Sequence, residues 1–165
     1  MTIAAFDVYY LKNGCASAAA VLFRDYRDPE PAAVYTQFLS EAADYIPGEF
    51  YRRELPCIFT LLRRIDEVPD EMVVDGYVML GNKPGLGQHL FNSFDGKIPV
   101  VGVAKSKFEG AGGVEVFRGK SIHPLYVTSA GIDLSKASER IRTMRGVHRI
   151  PTLLKRVDVL AREQA

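Results

Sequence analysis

The chain lacks tryptophan, and it carries two cysteines and three histidines in 165 residues. Cys15 and Cys57 stand alone, in neither a CxxC pair nor a Cys/His set with zinc spacing. A structural zinc site and a dithiol redox centre are therefore excluded. Each cysteine is expected as a small buried apolar residue, in a reducing, cytoplasmic setting. No apolar run approaches the ~20 residues of a membrane span. The start, "MTIAAFDVYY", has neither the charged n-region nor the long apolar core of a secretory signal. No membrane partner is expected. At 47% hydrophobic and 25% charged residues, the chain has no compositional bias toward disorder or a fibrous repeat. The length favours a single domain over 1–165, and a monomer is expected.

Charge is nearly balanced at +1, but it is unevenly spread. From Leu134 to Ala165 eight lysines and arginines face three acids, Glu139, Asp158 and Glu163. A basic C-terminal face points weakly to a polyanionic partner, and a solvated helix surface explains it equally well.

"IAAFDVYYL" reads as a strand, Asn13-Gly14 as a hairpin turn and "CASAAAVLF" as the returning strand. "AAVYTQFLS" adds a third, so the chain opens as an antiparallel meander. A helix follows over "EFYRRELPCIFTLLRRI", beginning near Pro56 or bending there. "EMVVDG" reads as a buried central strand, "QHLFNSF" as a short helix and "IPVVGVAKS" as another strand. A loop and hairpin precede a helix over "DLSKASERIRTMRG", N-capped by Asp133 or Ser135 and closed by Gly146. A last helix starts near Pro151. The order predicts an α/β fold with a mixed central sheet, in which functional groups gather at the carboxyl ends of the parallel strands.

Asp7 interrupts a strand otherwise suited to a core, and Asp75 ends the apolar "MVV" run. Two carboxylates on adjacent buried strands repel unless a cation lies between them. Oxygen-only ligands suit Mg²⁺ or Mn²⁺ rather than zinc. Each acid could instead serve a cap or turn, Asp75 before Gly76 above all. A carboxylate-held metal with a nearby lysine is equipment for phosphodiester hydrolysis.

Six stretches, in order along the chain, resemble the endonuclease V family, nucleases that cut nucleic acid near inosine. "FDVYY" resembles the family's "DVxY", "YIPGEFYRRELP" its "YIPGxLxFREGP", and "VVDGY" its "VDGxG". "GVAKSKF" is similar to "GVAKSxL", "HPLYVTSAG" to "PLYVSPGH", and "HRIPTLLKRVDVLAR" to "RIPEPxRxADxLAR". The resemblance implies a ribonuclease H-like fold with helices on both faces. It implies a Mg²⁺-dependent cut on the 3′ side of a deaminated base in DNA or RNA, Mn²⁺ being an alternative metal. It makes Asp7, Glu54 and Asp75 the metal carboxylates, Lys105 the lysine at the scissile phosphate, and Asp158 the last acidic position of the site. Tyr45, Ile46, Pro47 and Gly48 match the wedge that fills the gap left by an everted base. Arg53, Gly76, Lys107 and His89 fall among the nucleic-acid contacts, with Arg52 a further phosphate-holding candidate. His89 and His148 are expected as structural or phosphate-contacting groups, not metal ligands.

The chain departs from the family where the "HGxxHPRxxGxAxHLG" segment becomes "YVMLGNKPGLGQHLF", one residue shorter. Leu55 replaces the glycine of "REGP", and "RIPEPxR" becomes "RIPTLLK". Two other readings stay open: a nucleic-acid-binding relative that does not cut, and a nuclease of the same fold with another substrate.

Overall fold

The computed structural model of the chain describes residues 1–42, 46, 47, 49 and 51–163. Its elements are β1 (Ile3–Tyr10), β2 (Ala16–Phe23), β3 (Ala33–Leu39), α1 (Tyr51–Leu62), β4 (Glu71–Asp75), β5 (Met79–Leu80), β6 (Lys83–Pro84) and α2 (Leu86–Ser93). There follow β7 (Val100–Ala104), β8 (Val114–Val116), β9 (Leu125–Ala130), α3 (Leu134–Arg142) and α4 (Thr152–Glu163).

Seven strands form one sheet in the order β3-β2-β1-β4-β7-β9-β8, and β5 and β6 make a separate two-stranded ribbon. β1 to β3 are the expected antiparallel meander, turned at Gly14, whose φ of 81° suits glycine. β1, β4 and β7 run parallel, and β9 pairs antiparallel with both β7 and β8. The result is a mixed sheet with helices on both faces, the ribonuclease H-like arrangement that the resemblance implied.

Two cores sandwich the sheet. On one face Ile3, Ala5, Val73 and Val103 pack against Ile141 of α3 and Val157 of α4. On the other, Ala4, Phe6 and Val74 pack against Ile58 of α1 and Leu90 of α2. All eight residues of β2, "ASAAAVLF", are buried. Its small side chains let α1 and α4 approach the same strand from opposite sides.

Three expectations need adjustment. α1 starts at Tyr51, before Pro56, and carries the proline inside it. α3 is N-capped by Asp133, which accepts from the Lys136 N–H at 3.1 Å, and it ends at Thr143 rather than at Gly146. Arg118 donates to the last carbonyls of the helix, those of Ile141 and Arg142. Cys57 is buried, but Cys15 is only half-buried, since it closes the β1–β2 turn with its thiol 3.3 Å from the Ser40 carbonyl.

Candidate metal and catalytic site

Register alone brings the strand residues together. Phe6 lies level with Val74, and Asp75 lies level with Val103. Side chains alternate along a strand, so Asp7, Asp75 and Lys105 project from the same face, the one covered by α3 and α4. A cavity of about 30 Å³ runs beneath them, walled by Asp7, Asp75, Lys105, Val103, Leu125 and Leu154. The Lys105 ammonium lies 3.3 Å from Asp75 Oδ2. From the opposite face α1 delivers Glu54, one turn before the core residues Cys57 and Ile58.

The acids are electrostatically linked. Burial, then the charge of Asp75, pushes Asp7 from the ordinary carboxylate range up to about 7. Glu54 is buried, and it is held well above its ordinary range by that burial and by the charges of Asp75 and Asp7, against the opposing pull of Arg53. Asp158 comes from α4, with 13% of its side chain exposed. Burial opposes its ionisation, but Arg162 at 2.9 Å, the neighbouring Asp7 carboxyl and the charge of Lys105 bring it below the usual value. Lys155 adds a longer ion pair at 3.7 Å.

The sequence-predicted nucleic-acid contacts are more scattered. Arg53 lies with its guanidinium carbon 3.8 Å from the centre of the Tyr10 ring. Ile46 and Pro47 are exposed, while Tyr45 and Gly48 lie outside the described residues. Gly76 follows Asp75 directly and donates its N–H to Val103 O at 3.1 Å. Lys107 is exposed, 3.7 Å from Glu109. Arg52 pairs with Glu49 at 2.7 Å. His89 stacks on Tyr51 with ring centres 3.7 Å apart, and burial lowers its pKa. His148 gives its backbone carbonyl to Arg118 at 3.2 Å.

Three residues escaped the reading of the sequence. Arg118 is buried and donates to the carbonyls of Ile141, Arg142, Met144, Gly146 and His148. Arg149 bonds the carbonyls of Lys105, His123 and Pro124. Tyr77 bonds the backbone of Ser106 and Phe108. The only signal for Arg118 was an arginine set in the strand-like "VEVFRG".

Asp7, Glu54 and Asp75 are the residues suited to hold a metal. Their donors are all carboxylate oxygens, and the mutual repulsion that adds to burial in raising Asp7 and Glu54 is what a divalent cation would relieve. They stand at charge-interaction range rather than as a closed cage. Among the described residues, no group of three or more His, Cys, Asp or Glu side chains is gathered tightly enough to hold an ion.

The sequence model of one family, Endonuclease V, matches residues 1–126. The Endonuclease V of Xanthomonas axonopodis pv. citri is 28% identical over 110 residues, 66% of this chain. That stretch is 46% of the Xanthomonas protein, so the chain spans about half the length of that relative. The Endonuclease V of Nostoc punctiforme is 24% identical over an alignment covering 96% of this chain and 81% of the relative. Among solved structures, Endonuclease V of Streptomyces avermitilis superposes with a TM-score of 0.82 at 26% identity, covering 99% of this chain and 81% of that one. Ciona intestinalis Endonuclease V, in complex with a 24mer DNA containing an inosine followed by a ribo-adenosine, gives 0.81 at 18% identity, covering 99% and 84%. The family match takes in Asp7, Glu54, Asp75 and Lys105, the residues that strand register and α1 bring to one end of the sheet, and so the chain belongs to the Endonuclease V family.

Proposed function

We propose that the protein is a Mg²⁺-dependent endonuclease that cuts DNA or RNA on the 3′ side of a deaminated base, inosine being the first candidate. The observation that carries this reading is the set of three carboxylates from β1, α1 and β4 beside Lys105, at the carboxyl ends of parallel strands. The relative from Ciona was crystallised on inosine-containing DNA, which supports the choice of substrate.

Asp7, Glu54 and Asp75 would hold the metal, with Asp158 completing the acidic wall. A bound Mg²⁺ supplies Lewis acidity at the phosphate and a lowered pKa for the attacking water. Lys105 acts from beside Asp75. Its ammonium, paired with Asp75 before substrate arrives, turns to the scissile phosphate and offsets the charge that builds on the phosphoryl oxygens. Asp158, held in its charged form by Arg162, adds a negative charge beside Asp7. Ile46 and Pro47, exposed on the turn before α1, are the described part of the wedge that fills the place of an everted base. The wedge residues Tyr45 and Gly48 belong to the same proposal.

A second reading, a relative that binds nucleic acid without cutting it, draws on the open spacing of the acids. One assay separates the two. End-labelled single- and double-stranded DNA and RNA, with and without one inosine, are incubated with protein in Mg²⁺ or in EDTA, beside Asp7→Ala and Asp75→Ala. The proposal expects a Mg²⁺-dependent cut 3′ of inosine, lost in both variants. Cleavage indifferent to inosine would discard the substrate. Binding without any cut would support the second reading.

A further inference from the structure

Lys105 emerges where the sheet ends. The β7–β9 pairing stops at Ala104 opposite Tyr126, and the chain then enters the glycine-rich loop 105–113. Strand pairing therefore does not fix the backbone that carries the lysine. Two side chains do.

Arg149 Nη2 donates to the Lys105 carbonyl at 2.5 Å and to the Pro124 carbonyl at 2.8 Å, while its Nε donates to the His123 carbonyl at 3.1 Å. One rigid fork thus ties the exit of β7, the approach to β9 and the segment that starts α4. From the other side the Tyr77 hydroxyl donates to the Ser106 carbonyl at 2.8 Å and accepts the Phe108 N–H at 3.1 Å. Tyr77 is itself buried, two residues after Asp75. Two consecutive carbonyls, of Lys105 and Ser106, are held from two directions.

The charge of Arg149 is committed to carbonyls. Among the described residues it forms no ion pair, unlike Arg24, Arg140 or Arg162. A guanidinium kept for a phosphate would leave its fork open to solvent, and this one is turned onto the backbone.

We propose that Arg149 and Tyr77 are positioning residues for Lys105. They fix its backbone so that the ammonium reaches the acid cluster, and Arg149 links that placement to α4, which carries Asp158. The inference rests on the reading of Lys105 as the group that acts on the scissile phosphate.

The test uses Arg149→Gln and Tyr77→Phe, each alone and combined with Lys105→Ala. The readouts are the single-turnover cleavage rate, the protein concentration giving half-maximal rate, the thermal midpoint, and acetylation of Lys105 followed by mass spectrometry. Arg149→Gln should slow cleavage roughly 10- to 100-fold, the size of loss that small misplacement of a reacting group produces. The half-maximal concentration should move less than about threefold, since no substrate contact is lost. In the Lys105→Ala background the same substitution should cost nothing further, because the group it acts through is gone. Lys105 acetylation should be faster in Arg149→Gln and in Tyr77→Phe than in the wild type. Equal losses in both backgrounds, or an unchanged acetylation rate, would overturn the inference. A wild-type protein that does not cut would sink the nuclease reading alone, and acetylation would then decide the clamp by itself.

Discussion

Asp7 on β1 and Asp158 on α4 are electrostatically linked, and each carboxyl group shifts the other's proton affinity, Asp7 upward and Asp158 downward. Burial first, then the charge of Asp75, then Asp158 keep Asp7 protonated up to about pH 7. A folded-state pKa raised above the unfolded value of 3.8 means that the native protein binds the extra proton between about pH 4 and 7. The Asp7 contribution to stability therefore falls as pH rises through that window, and it stays low above it. Asp7→Asn removes the titration. In EDTA the variant should melt above the wild type at pH 8, and the gap should close toward pH 4. Each kcal/mol should appear as ~2–4 °C. Midpoints measured from pH 4 to 9 check this, and a gap independent of pH would refute it.

Divalent metal should reverse that penalty. A cation bound by Asp7, Glu54 and Asp75 stabilises the fold by mass action, ~1.4 kcal/mol at tenfold its dissociation constant. The wild-type midpoint should climb by several degrees on Mg²⁺ titration. Asp75→Asn should lose most of the climb. Calorimetric titration with Mg²⁺ and Mn²⁺ gives the same answer without heat.

Removing the lysine separates chemistry from binding. Lys105→Ala should lower the cleavage rate by ~10²–10³-fold, the usual loss when one preorganised charge is taken from a transition state. Affinity for an uncut duplex, measured at fixed salt, should change by no more than the one phosphate contact it removes.

Arg118→Met leaves several carbonyls at the end of α3 without their donor. Each unsatisfied buried group costs ~1–3 kcal/mol. The variant should lose at least about 3 kcal/mol in urea unfolding, most of it from the α3–α4 connection. Hydrogen exchange should report that loss first at residues 141–149.

Gly102→Ala tests the strand end that carries Asp75. An added Cβ would lie 2.5 Å from the Gly76 carbonyl oxygen, 2.7 Å from Thr128 Oγ1 and 3.1 Å from the Val78 nitrogen. Two of these are backbone atoms that cannot step aside. The variant should be destabilised by ~2 kcal/mol or more and should cut poorly even where it folds. Full activity at a normal midpoint would mean that the Asp75–Gly76 segment is free to shift.

Much of the fold was legible because β1 to β3 follow local rules: β-branched and aromatic residues, an Asn-Gly turn and small residues in a buried strand. Asp7 was legible for the opposite reason, as a charge that local rules do not explain. The start of α1 was not legible, since Pro56 reads as a boundary while the helix admits it near its first turns. Lys105 carried no signal of its own, because "AKSK" is an ordinary strand exit until a family resemblance singles it out. Arg118 and Arg149 stayed hidden because their partners are carbonyls, which every residue has. Their roles arise from chain segments 23 to 44 positions away. The spacing of the acids was also beyond the sequence, which names donors but not the distances between them.

The linkage of Asp7 to Asp158 has a further consequence, for the timing of synthesis. Asp7 lies in β1 and Asp158 in α4, so the two meet only after every element from β1 to α4 has been made. Closing so long a loop is entropically costly and slow to nucleate. The sheet that holds Asp7, Asp75 and Lys105 can form earlier, but Arg149 and Asp158 follow it in the chain. A nascent chain on the ribosome, surrounded by RNA, therefore carries its acids before it carries the frame that aligns them.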